Sequence, residues 1–323
     1  MPEANPFAEL VKSLPERDFS LLASAVKEHQ CRKRYGFGSF AEAAALFRPD
    51  PGCPVCEGGT AAKDGRSHTG PQRYRCAACG ARYNSLTSTV LEGCKKGLPA
   101  WVGFINLMRF NVPLRAIAEI CQVTLQTAFE WRHRVFAAVD GYQDRLVLKG
   151  RVWIDEAYIT GTELPHGYGE ARKRGLSKQK TCIAVAIDVH KNPIEVVCGH
   201  GKPSSKRIKD GLLPHIGQGS VIVHDKERAH NALIKAAGCS DVAYKADASD
   251  QQYLDGMAMI NNLCSWLKRY LWRFTGMKPA NLQSHLNWFV YLFRINMARD
   301  KWPEMERVVR HIMMVDTRFR SSR

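Results

Sequence analysis

Two carboxylates stand where apolar strands should carry none. Asp155 interrupts the run GRVWIDEAYI, and Asp225 closes the run SVIVHD. A bare carboxylate buried in an apolar strand is costly, so each needs a partner. Divalent cations are one such partner. Two hard cations about 3.5–4 Å apart activate an attacking oxygen and stabilise a leaving one during in-line phosphoryl displacement. Each aspartate also has a plain structural reading. Asp155 could end its strand in a salt bridge, and Asp225 could cap a helix over KERAHNAL. Glu156 follows Asp155 and should face the other side of the strand, which makes it a runner-up and not a co-ligand. Glu227 is expected to begin the helix after Asp225.

The elements that must position these residues read in order from Gly150. GRVWIDEAYI, QKTCIAVAIDVH and PIEVVCGH suggest a three-stranded antiparallel meander, with Asn192 and Pro193 at the second turn. SSKRIKDGLLPHI is helical, SVIVHDK is a fourth strand, RAHNALIKAAG a helix and DVAYKAD a fifth strand. MINNLCSWLKRYLWRF then reads as a long helix, residues 259–274, with Ile260, Leu263, Leu267, Tyr270, Leu271 and Phe274 on its core face. Asp255 is expected in a turn before it. This order is that of an RNase H-like α/β fold, here over 148–300. In such a sheet the strands of Asp155 and Asp225 are adjacent, so their carboxylates can share a pair of cations.

A second constellation lies upstream. Cys53 and Cys56, then Cys76 and Cys79, form two CxxC knuckles separated by 19 residues. That spacing suits tetrahedral zinc held by four thiolates. A closed shell leaves no position for substrate, so this Zn2+ is structural. Residues 49–92 are therefore expected to form a zinc ribbon, with Arg73, Arg75 and Arg82 on it and His68 as a polar loop residue. The seven remaining cysteines are scattered singly, which suits buried thiols in a reducing cytoplasm.

Residues 1–48 are expected to be a helical N-terminal segment. Residues 97–142 read as a helix-turn-helix region, with a turn near Gln122–Val123 and a second helix capped by Thr124. Leu114, Ile117, Ala118 and Ile120, then Ala128, Trp131, Val135 and Phe136, supply its apolar positions. Gln126, Thr127, Glu130, Arg132, His133 and Arg134 remain for solvent or DNA. The 47 Lys+Arg against 31 Asp+Glu leave +16, which favours a polyanionic partner. ARKRGLSKQK, with Arg172, Lys173 and Arg174, and LKRYLWRF, with Arg269, would contact DNA backbone without reading sequence. No transmembrane span or signal peptide is visible. Residues 301–323 are expected to be a basic C-terminal helix and tail.

On these residues the chain resembles the IS1595-type bacterial insertion-sequence transposases. The likeness is carried by the CxxC ribbon, the helix-turn-helix, WIDEAYITG, VIVHDKE and INNLCSWLKRYLWRFTG followed by LNWFVYLFRIN, from about Cys53 to Asn296. It implies a DDE-type enzyme using Mg2+ or Mn2+. Such an enzyme cuts the ends of its own element and joins the 3′-hydroxyls to target DNA. Carried over by position, the metal-binding aspartates are Asp155 and Asp225. The third acidic position falls on Asn261, and the basic residue expected two turns later is Lys268. The family includes members with Asn at this third place. An amide carbonyl is a weaker Mg2+ ligand than a carboxylate, and it would leave the second ion loose until a DNA phosphate arrives. Asn261 and Lys268 border the core face of their helix, whereas Asn262 and Arg269 lie nearer solvent, so Asn261 is preferred. The resemblance further implies at least a dimer on double-stranded DNA and a cytoplasmic, nucleoid-associated protein. Two other readings stay open: an inactive or domesticated DNA-binding regulator, and a nuclease of the same fold that does not join ends.

Overall fold

The computed structural model describes residues 6–159, 180–274, 276–298 and 303–317. The chain forms two compact units, one of Met1–Ala138 with Lys301–Arg323, the other Val139–Asp300. In the first, helices α1 (Ala8–Ser13), α2 (Glu16–Tyr35) and α3 (Phe40–Phe47) precede strands β1 (Ala61–Arg66), β2 (Gln72–Cys76) and β3 (Arg82–Asn84). These strands pair as an antiparallel sheet in the order β1-β2-β3. Helices α4 (Leu98–Arg109), α5 (Leu114–Ile120) and α6 (Leu125–Ala137) follow, and a C-terminal helix (Glu304–Met314) completes the unit.

The α5–α6 turn has a clear local cause. Gln122 takes a left-handed φ of 52°, and the Thr124 side chain accepts the N–H of Thr127 to cap α6. Ala128, Trp131, Val135 and Phe136 are buried along α6, where Trp131 stacks on Trp101 of α4 at 4.2 Å between centroids. Ile120 departs from expectation. It is 62% exposed, because α5 ends there and turns its last residue outward, leaving Ile117 and Ala118 as the residues it buries.

The second unit is a mixed α/β fold around a five-stranded sheet. Its elements are β4 (Arg151–Ile159), β5 (Thr181–Asp188), β6 (Pro193–His200), α7 (Ser205–Leu212), β7 (Val221–His224), α8 (Asn231–Ala237), β8 (Ser240–Ala243), α9 (Gln251–Trp272) and α10 (Leu282–Met297). The strand order is β6-β5-β4-β7-β8, with β4, β5 and β6 antiparallel and β7 and β8 parallel to β4. Strand β5 is buried along its whole length, as its unbroken apolar run requires when both faces are covered. Strand β4 sends Val152 and Ile154 into the layer of α7 and α8, and Trp153, Ala157 and Ile159 into the layer of α9 and α10.

Helix α9 begins earlier than its apolar periodicity suggests. Asp250 caps it by accepting the N–H of Gln252 at 2.9 Å. Asp255 therefore lies inside the helix, exposed, accepting from the Gln251 side chain at 2.8 Å, and not in a preceding turn. Gly256 makes that start hard to read, since glycine inside a helix reads as a breaker. Its reason is tertiary. A Cβ at Gly256 would lie 2.4 Å from the Tyr244 ring, so only glycine lets α9 cross there. The Trp153 indole N–H donates to the Gly256 carbonyl at 2.8 Å and ties the helix to β4. Among the described residues no helix is long and apolar enough to cross a membrane.

Candidate active site

Arg151, Val152 and Trp153 of β4 pair in parallel with Val221, Ile222 and Val223 of β7. Two residues beyond the last of these pairs stand Asp155 and Asp225. Asp155 lies within β4 and, by the two-residue period of a strand, shares the face of Trp153, over which α9 packs, while Asp225 directly follows the last residue of the neighbouring β7. Burial pushes the Asp155 carboxyl up to about 6, and the Glu156 and Asp225 charges add to the rise, while the Glu156 backbone N–H and His230 oppose it. The N–H of Glu156 donates to Asp155 Oδ1 at 2.8 Å. The N–H of Glu227 donates to Asp225 Oδ1 at 3.1 Å, and Glu227 itself caps the short 3-10 turn that follows. A carboxylate held up by burial and by a second carboxylate is one that a cation relieves.

Helix α9 closes this face. Asn261 is half-buried and Asn262 exposed. Tyr253 marks where the groups converge: burial and the charges of Asp155 and Asp225 raise its hydroxyl, and a hydrogen bond with the Asn261 side chain opposes them. Cys264, one turn past Asn261, donates its thiol toward Asp155 Oδ2 at 3.9 Å. Lys268, one turn further, is exposed, and its charge is felt at Cys264. The register also puts Glu195 in the row of Asp155, with Val185 between them. Glu195 is fully buried, neither carboxylate oxygen has a hydrogen-bond partner, and burial holds its carboxyl well above the usual range. Sequence reading missed Tyr253, Cys264 and Glu195, since nothing in their spacing separates them from packing residues.

Glu156 does face the opposite layer. There it accepts from His230 Nε2 at 2.8 Å. His230 Nδ1 lies 3.1 Å from His224 Nδ1 and 3.9 Å from Asp225 Oδ1, and His224 Nε2 lies 3.4 Å from Asp241 Oδ2. Sequence reading passed over these histidines, although they flank Asp225 in VHDKERAH.

The four knuckle cysteines come together. The sulfurs of Cys53 and Cys79 are 3.6 Å apart, Cys53 and Cys56 3.7 Å, and Cys56 and Cys76 3.5 Å. Tetrahedral zinc with bonds of about 2.3 Å needs S···S separations of about 3.8 Å. Backbone N–H groups of Cys56 and Val55 bring the Cys53 thiol down to about 6, and those of Cys79 and Ala78 lower Cys76. The neighbouring thiols push Cys56 up to about 12 and raise Cys79, so each turn favours one thiolate, at its first cysteine, before any ion binds.

The residues expected on DNA divide. Gln126 is exposed, its amide on Glu130 at 3.1 Å, and Thr127 lies beside it in the first turn of α6. Arg132 is half-buried with its guanidinium over the Phe129 ring. Arg134 turns inward, donating to the carbonyls of Val90 at 3.0 Å and Glu92 at 2.9 Å, so its guanidinium ties α6 to that segment and does not stand in solvent. Arg269 is exposed on α9. Arg172, Lys173 and Arg174 lie outside the described residues.

Residues 147–296 match the family described as the ISXO2-like transposase domain. Similar solved structures include the pre-cleavage Mos1 transpososome, 11% identical over 67% of this chain and 78% of that one, with a TM-score of 0.22. The Mos1 mariner paired end complex with Mn is 13% identical over 60% of this chain and 75% of that one, also at 0.22. No curated protein matches closely enough to count as a relative.

Proposed function

From the premise that residues 147–296 belong to the ISXO2-like transposase domain family, we propose that the protein is a metal-dependent DNA transposase. It binds the ends of its insertion sequence, cleaves them and joins the 3′-hydroxyls to target DNA. The observation that carries this is the approach of Asp155 in β4 and Asp225 at the end of the adjacent parallel β7, close enough that the Asp225 charge acts on Asp155, with Asn261 meeting the same tyrosine that both aspartates influence. The strand order β6-β5-β4-β7-β8, antiparallel then parallel, supports an RNase H-like reading of the catalytic unit.

In this reading Asp155 and Asp225 hold the ions and Asn261 adds a neutral oxygen. A bound pair of Mg2+ or Mn2+ ions supplies activation of the attacking oxygen and charge relief for the leaving one. Asp155 must give up its proton to bind; burial raises its carboxyl to about 6, which makes that step costlier than for an ordinary aspartate yet leaves it accessible near neutral pH. Lys268 meets a DNA phosphate as a point charge on a flexible stem. The four cysteines hold a structural Zn2+. The α5–α6 pair acts as the helix-turn-helix, presenting Gln126, Thr127 and Arg132, while Arg172, Lys173, Arg174 and Arg269 contact backbone. Two ends must be held at once, so the working form is at least a dimer.

The neutral side chain of Asn261 favours a second reading, a copy that binds element ends without cutting them. A cleavage-and-joining assay separates the two. It uses the full chain, labelled duplexes from the DNA flanking its gene, and Mg2+ or Mn2+, with Asp155→Ala beside it. Metal-dependent 3′-end cutting and joining, lost in the variant, is the expected result. Specific binding with no cutting under either ion would overturn the enzyme reading, and cutting without joining would leave a nuclease.

A further inference from the structure

The layer opposite α9 holds a cluster that the active-site reading does not use. His224 ends β7, and His230 sits in the short turn before α8. Both are buried, at 2% and 1% exposure. Each has one ring nitrogen on a carboxylate: His230 Nε2 on Glu156 at 2.8 Å, and His224 Nε2 on Asp241 at 3.4 Å. A carboxylate only accepts, so these contacts make both Nε2 atoms the protonated ones. The two Nδ1 atoms are then lone pairs, and they face each other at 3.1 Å. Two buried acceptors aimed at one another need something positive between them. Asp225 Oδ1 lies 3.9 Å from His230 Nδ1, and ligand atoms of all three residues lie within 4.8 Å of one another.

We propose that His224 Nδ1, His230 Nδ1 and a carboxylate oxygen of Asp225 form a binding site for a divalent cation of the zinc class. Bonds of about 2.0–2.1 Å to two imidazoles at a tetrahedral angle separate the nitrogens by about 3.3–3.4 Å, so the observed 3.1 Å needs only a small opening of the pair. Imidazole donors favour zinc-like ions over magnesium. Metal-bound histidines almost always place their other N–H on a carboxylate or carbonyl, and here Glu156 and Asp241 do so. Three protein ligands leave a fourth position open. The ion would pin Asp225 from behind and fix the end of β7. The site shares Asp225 with the active-site reading, but its ligand set does not rest on that reading.

The test is the zinc content of the full chain, purified without chelator and measured by mass spectrometry. The expected result is two zinc per chain. Cys76→Ser should hold one, His224→Ala and His230→Ala should each hold one, and Asp155→Ala should keep both. One zinc in the native chain, retained in the histidine variants, overturns the site. So does a second zinc lost in Asp155→Ala but kept in His230→Ala, since that ion would belong to the carboxylate pair. His230 is buried and its loss can unfold the unit, so cobalt substitution of the native chain is the second measurement. Two cobalt ions are expected, one with thiolate charge-transfer bands and one without; thiolate-type cobalt alone overturns the proposal. A second zinc in a chain that never cuts DNA leaves this site standing and removes the active-site reading. Metal-dependent cutting by a chain with cysteine-bound zinc alone does the reverse.

Discussion

The cysteine cluster and the proposed carboxylate site bring their candidate ligand atoms together by opposite routes. Cys53 with Cys56, and Cys76 with Cys79, each come from one tight turn whose own backbone N–H groups lower a thiol in it. Two short loops carry all that chemistry. Asp155, Asp225 and Asn261 come from β4, from the residue after β7 and from α9, and only the pairing of β4 with β7 and the packing of α9 bring them near one another. The first site is written in local spacing. The second exists only once β4, β7 and α9 have packed. Damage to the first should therefore come from its own residues, whereas the second should be breakable from positions that hold no ion.

The largest expected effect is on the local site. Cys76→Ser should release the ribbon zinc, and structural zinc contributes apparent binding energies of about 10–16 kcal/mol. Hydrogen exchange should rise across β1–β3 while β4–β8 stays protected; an ordered ribbon with unchanged zinc would break the comparison. Asp155→Ala comes next. Losing several kcal/mol of transition-state stabilisation should cut cleavage by about a thousandfold or more, with DNA binding kept. Gel-based cleavage at saturating Mn2+ reads this, and equal activity would remove Asp155 from the site.

The proton on Asp155 gives a third effect, in stability. Its folded value of about 6 lies above the ordinary 3.8, so the fold favours the protonated form. The ionised carboxylate therefore costs stability, fully above about pH 6, and the cost fades as pH falls toward 4. In metal-free protein Asp155→Asn should stabilise by up to about 3 kcal/mol at pH 7 and by nothing below pH 4. Denaturation at the two pH values checks it, and a gain independent of pH would sharpen the comparison against a charge effect. Gly256→Ala should cost about 1–3 kcal/mol by overpacking on Tyr244. It should also lower cleavage with every ligand intact, which is the mark of a site built by packing. The smallest effect is expected at Asn262→Ala, within about 0.5 kcal/mol of stability for an exposed residue, whereas Asn261→Glu should tighten Mn2+ binding. Titrations that rank them the other way would move the amide ligand by one residue.

Much of the architecture was legible in the sequence because periodicity reports it. The five strands of the second unit and the helices between them follow from apolar runs and turn residues, and the knuckles follow from spacing alone. What was not legible depends on tertiary neighbours. The start of α9 was hidden by Gly256, whose reason is the Tyr244 ring. Arg134 reads as solvent-facing, yet the carbonyls of Val90 and Glu92 draw it inward. Ile120 reads as core and is exposed. His224 and His230 carry their signal in VHDKERAH, but only the return of β4 and β8 supplies Glu156 and Asp241 to orient them.

The back-to-back pair of acids on β4 has a further consequence. A slip of β4 by one residue would turn Glu156 toward α9 and Asp155 toward His230. Either alignment puts one negative charge on each side of the sheet, so charge does not choose between them. Size does. Trp153 fits where its indole reaches the Gly256 carbonyl, and Val152 and Ile154 pack into the layer behind. The peg that selects which acid meets α9 is thus an indole two residues away, and a smaller residue there would loosen the alignment of the strand before it touched any ligand.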